Sequence, residues 1–303
     1  MTATHSRIAL VVATAATIVA ASAAQAQQPL PKPDSSGYIA ANGVNYWFEI
    51  RGKGEPLLLL HGGLMSTEGF GPTLLKLAES RRVIGVDLQG HGHTALGRPQ
   101  IRYADIGRDM AVIIQKLGLR QVDAMGYSFG GGVALQLAFQ HPALVRRLVV
   151  LSAPFASNGF YPEMLPQQAA VGASMADAMK ESPMYKAYAA VAPRPEDFPK
   201  LLDAIGATMR TTYDWSESVK QLSMPVMLVY GDADMIPPEH MVAFYKLLGG
   251  GQRDAGWMRE HMAKNRLAIL PDVTHYEAGE APALVATVLP FLNATSPGEP
   301  PRK

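Results

Sequence analysis

The chain predicts an α/β fold: a mostly parallel eight-stranded sheet with helices on both faces and an inserted helical cap. Three observations predict it. Short runs rich in Leu, Val and Ile recur at 57–60, 83–86, 122–125, 148–151, 226–230 and 267–270, and they are continuously apolar, as strands covered on both faces should be. Helical patterns alternate with them at 74–78, 106–117, 133–139, 240–248 and 283–292, the rhythm of parallel strands joined by helical crossovers. One interval breaks the rhythm: 155–224 shows no strand pattern but is frequent in Met, Tyr, Ala and Pro, with helix-like pieces at 167–180 and 198–209. A connection of that length needs structure of its own, so a helical cap is expected there.

Ahead of the fold, His5 and Arg7 precede an unbroken small-apolar run at 8–24, and Ala24-Gln25-Ala26 offers the small residues that a signal peptidase reads. Residues 1–26 are therefore expected to be a cleaved signal peptide and the protein to be periplasmic or secreted, without stable membrane insertion after cleavage. A membrane anchor is the competing expectation, but the run is alanine-rich and barely long enough to span a bilayer. Residues 27–36 and 295–303 are proline-rich and polar, a flexible leader and a flexible tail. Between them the expected divisions are a first core part at 37–154, the cap at 155–224 and a second core part at 225–294.

Elements within the core follow in order. Runs at 38–41 and 44–50 flank Asn42-Gly43, a dipeptide suited to a two-residue hairpin turn because both positions tolerate positive φ. The sheet should thus open with an antiparallel hairpin and continue through the six apolar runs. Pro282 suits the first turn of the last helix, where a missing N–H costs little. Gly249-Gly250-Gly251 follows a helix that runs away from the chemically equipped edge, so the insertion through Lys264 should lie at the far end as a decoration or contact surface.

Composition narrows the function. The 303 residues are 48% hydrophobic, enough for a full core. The 27 Lys and Arg balance 26 Asp and Glu and are scattered, which excludes the clustered basic footprint of a nucleic-acid binder. With no cysteine, neither disulfides nor lipid attachment through a thiol is available.

The chemistry is carried by Gly126-Tyr127-Ser128-Phe129-Gly130, which joins the strand at 122–125 to a helical segment at 131–140. This is a strand, a sharp turn and a helix with serine at the tip; Gly126 and Gly130 leave room for the turn. Serine needs a base, and the base needs an anion to hold its tautomer. Asp232 and Asp234 end one predicted strand and His275 ends the next, so all collect with Ser128 beyond the carboxyl ends of a parallel sheet. Asp87 and Asp123, at strand edges, are expected to bond loop backbone, and Asp272 to serve a turn. His91 and His93 form a His-x-His pair, but no further ligands extend it in a zinc-site spacing, so no metal and no cofactor is expected. His61 reads as a loop brace.

From 38 to 293 the chain resembles the α/β-hydrolase superfamily. The residues that carry the likeness are the 126–130 elbow, His61-Gly62-Gly63, Asp87-Leu88-Gln89-Gly90-His91-Gly92, Gly231-Asp232-Ala233-Asp234 with Pro237, and His275 with Glu280. Thr274 departs from the glycine that many relatives carry there. The resemblance implies Asp234 as the acid through a Gly-x-x-Asp pattern, and a backbone oxyanion hole from the amide of Gly63 or Leu64 together with that of Phe129. It also implies a serine hydrolase for a small-molecule carboxylic ester or lactone. Two other relatives fit the same motifs: a cofactor-free haloperoxidase or perhydrolase, and a slow-turnover ligand-binding protein. Met65, Phe155, Phe160, Tyr161 and Met164 are the expected substrate-binding residues, with Met175 and Tyr185 as further candidates for an apolar lining.

Overall fold

Asn42 and Gly43, at φ 45° and 87°, turn the chain between β1 (Ser35–Ala41) and β2 (Val44–Arg51), an antiparallel hairpin paired from Ala41↔Val44 to Ser35↔Ile50. The computed structural model describes residues 30–294. The expected signal peptide, the first three leader residues and the 295–303 tail lie outside the described residues. The chain divides into a unit 1–32, of which only residues 30–32 are described, and a unit 33–303 that carries the fold. β1 starts at Ser35, so two residues assigned to the leader belong to the sheet; their backbone pairs with Glu49 and Ile50 whatever their side chains are.

Six further strands complete the sheet: β3 (Pro56–Leu60), β4 (Arg82–Val86), β5 (Val122–Tyr127), β6 (Val145–Leu151), β7 (Val226–Ala233) and β8 (Arg266–Thr274). The order is β1-β2-β4-β3-β5-β6-β7-β8, antiparallel for β1, β2 and the β2–β4 pair and parallel from β4 onward. Both faces are covered, which is why β3 reads as an unbroken apolar run: Leu57, Leu58, Leu59 and Leu60 are all at most 1% exposed. Full burial of each stabilises the fold by about 1.5–3 kcal/mol.

Helices α1 (Pro72–Ala78), α2 (Tyr103–Lys116) and α3 (Phe129–Gln140) follow β3, β4 and β5. Between β6 and β7 run α4 (Met164–Ala169), α5 (Ala176–Met179), α6 (Pro183–Val191), α7 (Phe198–Met209) and α8 (Ser216–Lys220), and then α9 (Pro238–Leu247) and α10 (Leu284–Asn293) flank β8. α2 packs on α3 and β1, while α10 packs on α1.

Three local expectations are corrected. The helix-like piece at 167–180 is two helices, because the Asp203 carboxylate of α7 accepts the Ala173 amide (2.7 Å) and a 3-10 turn at Ala173–Met175 replaces a continuous helix. Pro282 lies before α10, whose N-cap is Ala283. Among the described residues Asp123 bonds no loop backbone: it is fully buried between Arg81 and Arg146, and Arg146 also pairs with Glu55. Removing one partner of such a buried pair costs about 3–5 kcal/mol.

Candidate active site

β5 ends at Tyr127 and α3 begins at Phe129, so Ser128 alone makes the turn, at φ 51° and ψ −114°. A non-glycine residue there is strained, and neighbouring hydrogen bonds hold it: the Ser128 amide donates to the Leu151 carbonyl (2.8 Å), and the Ser128 carbonyl accepts the Gly131 amide (2.9 Å). Only glycine fits at 126, since a Cβ there would stand 2.2 Å from the Gly130 carbonyl oxygen. The turn aims the Ser128 hydroxyl at the His275 imidazole, with 2.9 Å between Oγ and Nε2.

His275 follows β8, and Asp234 follows β7. Their relation depends on an irregularity in the β7–β8 pairing between Gly231 and Ala233, where a side chain at Gly231 would run into the Val273 carbonyl at 1.9 Å. The His275 Nδ1 and the Asp234 Oδ1 are 2.9 Å apart. Both residues are buried, at 6% and 5% exposure, which keeps water from competing for the contact. A proton on Nδ1 satisfies the carboxylate and leaves the Nε2 lone pair facing the hydroxyl of Ser128. The backbone of the His275 loop is held from below, where the Tyr127 hydroxyl donates to the His275 carbonyl. Burial pushes the Tyr127 phenol well above its ordinary range, so it remains a donor.

One participant was not foreseen. Ser152, the first residue after β6, is fully buried at φ 51°, and its hydroxyl donates to the Asp234 Oδ2 at 2.5 Å. The Ile236 amide adds a longer contact to Oδ1, 3.3 Å. The only signal in the sequence was a polar residue directly beyond the apolar run at 148–151. Asp232, the competing acid, is exposed and accepts the Val273 amide (3.3 Å), and Asp272 is exposed at φ 58° in the neighbouring turn.

The loop after β3 lies against Phe129, the residue after Ser128: a Cβ on Gly63 would be 3.8 Å from the Phe129 Cβ, and Leu64 adopts φ 57°. His61 braces this loop. Its Nε2 accepts the Leu88 amide (2.9 Å), which leaves the Nδ1 proton for the Gly62 carbonyl (2.7 Å), and burial lowers its pKa. Asp87 ties the same region together by accepting from the Thr67 amide (2.8 Å), the His93 amide (2.9 Å) and the His93 Nδ1 (2.9 Å). His91 turns Nδ1 to the Gln89 carbonyl, and burial with the nearby His61 pushes its pKa down to about 3. The two imidazoles of the His-x-His pair therefore serve different backbone and side-chain partners.

Of the expected lining residues, Met65 packs by the loop after β3, with its sulfur 3.1 Å from where a Cβ on Gly62 would lie. Phe155 instead stacks on His240 (4.1 Å between centroids, 13°) and meets the edge of Phe244, and the His240 Nε2 accepts its amide at 3.2 Å. Phe160 packs partly buried on the core, Tyr161 is exposed with its amide on the Met235 carbonyl, and Met164 is half-buried at the start of α4. Met175 is exposed, and Tyr185 packs edge-on against Phe198. An aromatic series was missed altogether: Phe129 contacts Tyr103 (4.8 Å), Tyr103 meets Trp215 (5.6 Å), and Trp215 stacks on Tyr213 (4.1 Å). It ties the residue beside Ser128 to the segment before α8, a contact across more than eighty positions that no local pattern reports.

Residues 55–183 match the family model described as alpha/beta hydrolase fold. The pimeloyl-[acyl-carrier protein] methyl ester esterase of Aliivibrio salmonicida (strain LFI1238) is 31% identical over 216 residues, which cover 64% of this chain and 79% of that protein. The 2-hydroxymuconate semialdehyde hydrolase of Pseudomonas sp. (strain CF600) is 36% identical over 127 residues, 41% of this chain and 45% of that protein. The crystal structure of the enol-lactonase from Burkholderia xenovorans LB400 superposes with a TM-score of 0.65 at 20% identity, over 85% of this chain and 100% of that chain, a likeness of fold. With its eight-stranded sheet, its serine elbow and these relatives, the chain belongs to the α/β-hydrolase fold family and is a hydrolase.

Proposed function

We propose that the protein is a serine hydrolase that cleaves a carboxylic ester or lactone through an acyl-enzyme on Ser128. One observation carries this: two contacts in series, Ser128 Oγ to His275 Nε2 and His275 Nδ1 to Asp234 Oδ1, each 2.9 Å. In this reading His275 takes the hydroxyl proton as Ser128 attacks the acyl carbon, and Asp234 stabilises the imidazolium that forms. His275 then gives the proton to the departing alkoxide. Water, deprotonated by the same imidazole, releases the acid and restores the hydroxyl.

Negative charge on the tetrahedral oxygen falls to the amides of Phe129 and of Gly63 or Leu64, the two segments that meet at the elbow. Each preorganised donor is worth about 3 kcal/mol of barrier. The start of α3 adds the favourable end of a helix dipole. Met65 from the loop, and Phe160, Tyr161 and Met164 from the 155–224 cap, line the acyl or alcohol side in this proposal; Phe155, engaged with His240, supports that wall. The enzyme is proposed to work outside the cytoplasm after removal of residues 1–26. Ester and lactone cleavage are favoured over amide cleavage because their leaving groups ask less of the acid.

Purified protein assayed on p-nitrophenyl esters of graded acyl length beside a lactone panel tests the reading. Hydrolysis that disappears on fluorophosphonate labelling of Ser128 is the expected result. Lack of labelling in the folded protein would refute the serine mechanism, and turnover that requires peroxide would reassign it to perhydrolysis.

A further inference from the structure

β8 pairs with β7 as far as Ala233↔Thr274, and regular structure resumes only at a 3-10 turn over Ala278–Glu280. His275, Tyr276 and Glu277 span the interval, so the imidazole at the candidate site hangs from a segment beyond the last registered pair of the sheet. Thr274 and Glu277 close that segment on itself. The Glu277 carboxylate accepts the Thr274 amide through Oε1 (2.8 Å) and the Thr274 hydroxyl through Oε2, while Thr274 Oγ1 accepts the Tyr276 amide (3.2 Å). Thr-x-x-Glu with reciprocal bonds of this kind is the box that opens many helices. Here it encloses His275 and Tyr276, and the Glu277 carbonyl then accepts the Glu280 amide (2.8 Å) to start the 3-10 turn. Thr274 is also the position at which the sequence departs from a glycine, a residue with no hydroxyl for either side-chain bond.

We propose that Thr274 and Glu277 are positioning residues for His275, a box that fixes the backbone from which the imidazole reaches Ser128; the inference rests on the reading of His275 as the base. The contact with Asp234 is made through one ring atom, Nδ1, and a ring held at one atom can still swing about it. The backbone must therefore be fixed as well. The Tyr127 hydroxyl holds the His275 carbonyl, and the box holds the residues on either side of it. The box also places an aromatic neighbour. The Tyr276 ring stands edge-on to the imidazole, 6.0 Å away at 84°, and Tyr127 lies 5.7 Å away at 38°. Glu277 is exposed, so its bonds are shared with water and contribute little to global stability. Proton transfer is far more demanding, because a small displacement of Nε2 from its 2.9 Å approach to Oγ is felt directly in the rate. The box should thus register in kcat before it registers in unfolding.

The test compares two variants that break the box with two that keep it, each in the full-length protein. Thr274→Val retains the branched shape but has no hydroxyl, and Glu277→Ala has no acceptor. Each lowers kcat on a p-nitrophenyl ester about fivefold, the scale of one cap, with KM within about twofold and an unfolding midpoint near that of the wild type. The rate at which a fluorophosphonate labels Ser128 falls in parallel, since labelling draws on the same base. Thr274→Ser and Glu277→Gln can remake the bonds and restore both rates. Because either loss opens the one box, the double variant Thr274→Val with Glu277→Ala is no slower than the worse single variant. Breaking variants at the wild-type kcat overturn the proposal, as do additive losses, or losses that Thr274→Ser and Glu277→Gln fail to restore. A lowered midpoint with kcat of the folded fraction unchanged also overturns it, by making the box merely structural. Wild type that neither hydrolyses the ester nor labels at Ser128 refutes the serine mechanism itself and this inference with it, an outcome distinct from an active wild type whose variants are unaffected.

Discussion

The hydroxyl of Ser152 donates to the carboxylate of Asp234 at 2.5 Å, on the oxygen that His275 does not use. The two residues end adjacent parallel strands, and the bond fixes the plane of the carboxylate so that Oδ1 points at the imidazole. Ser152 holds φ 51°, so backbone strain is retained at the position that supplies this donor. Ser152→Ala is expected to lower kcat about tenfold with KM nearly unchanged, the scale of one hydrogen bond to a charged group expressed at the transition state. Steady-state kinetics on one ester decides it. A wild-type kcat would mean that His275 and the Ile236 amide suffice to orient Asp234.

At the elbow, the prediction concerns room. Gly126→Ala puts a methyl 2.2 Å from the Gly130 oxygen and 2.8 Å from the Gly131 Cα, all backbone that cannot step aside without moving α3. Overpacking of this kind costs about 1–3 kcal/mol, and it also displaces Ser128 from His275. Thermal unfolding should show a lowered midpoint, and activity in the surviving folded fraction should fall further than stability does. Equal losses would indicate that the elbow geometry tolerates the shift.

How much of this was legible depends on the range of the forces involved. Asn42-Gly43 and the β3 run Leu57 to Leu60 declare themselves locally, through turn chemistry and through burial on both faces. Ser128, Asp234 and His275 were legible because parallel strands bring their carboxyl ends to one edge, and the structure does bring these three together. What escaped are contacts chosen by tertiary packing. A serine after an apolar run does not announce that it will meet an aspartate at position 234. Likewise, the capture of the Ala173 amide by Asp203 overrides a helical pattern that is sound in isolation, and Asp123 found two arginines where a loop seemed the nearer partner.

Acidification should weaken the fold between pH 7 and pH 5. Burial pushes the His240 imidazole down to about 4 and His91 to about 3, and it lowers His61 as well. Unfolded, each titrates near 6.5. Below that value the unfolded chain binds protons that the folded one refuses, so stability falls as pH drops toward the folded values. His93 works in the opposite sense: its hydrogen bond with Asp87 raises its pKa, adding stability below about 6.5 that is lost as pH rises through the folded value. Three groups against one give the net sign. Denaturant midpoints at pH 7 and pH 5 measure it, and His240→Gln should reduce the slope by about one proton's worth between them. A fold as stable at pH 5 as at pH 7 would show that these imidazoles open to water before they charge.

The acid can be separated from its competitor two positions away. Asp234 is buried with its oxygens shared between His275 and Ser152, whereas Asp232 is exposed and accepts a backbone amide from Val273. Asp234→Asn keeps the volume but removes the charge that holds the Nδ1 tautomer, and it can turn an amide toward a ring that needs an acceptor. Its kcat should fall by about 10⁴. Asp232→Asn retains an oxygen able to accept the Val273 amide and loses only a charge that water screens, so activity should stay within about twofold. Both variants should unfold near the wild-type temperature, which separates chemistry from folding. If the larger loss fell on Asp232→Asn, the carboxylate at 234 would be structural and the relay would run through the exposed one.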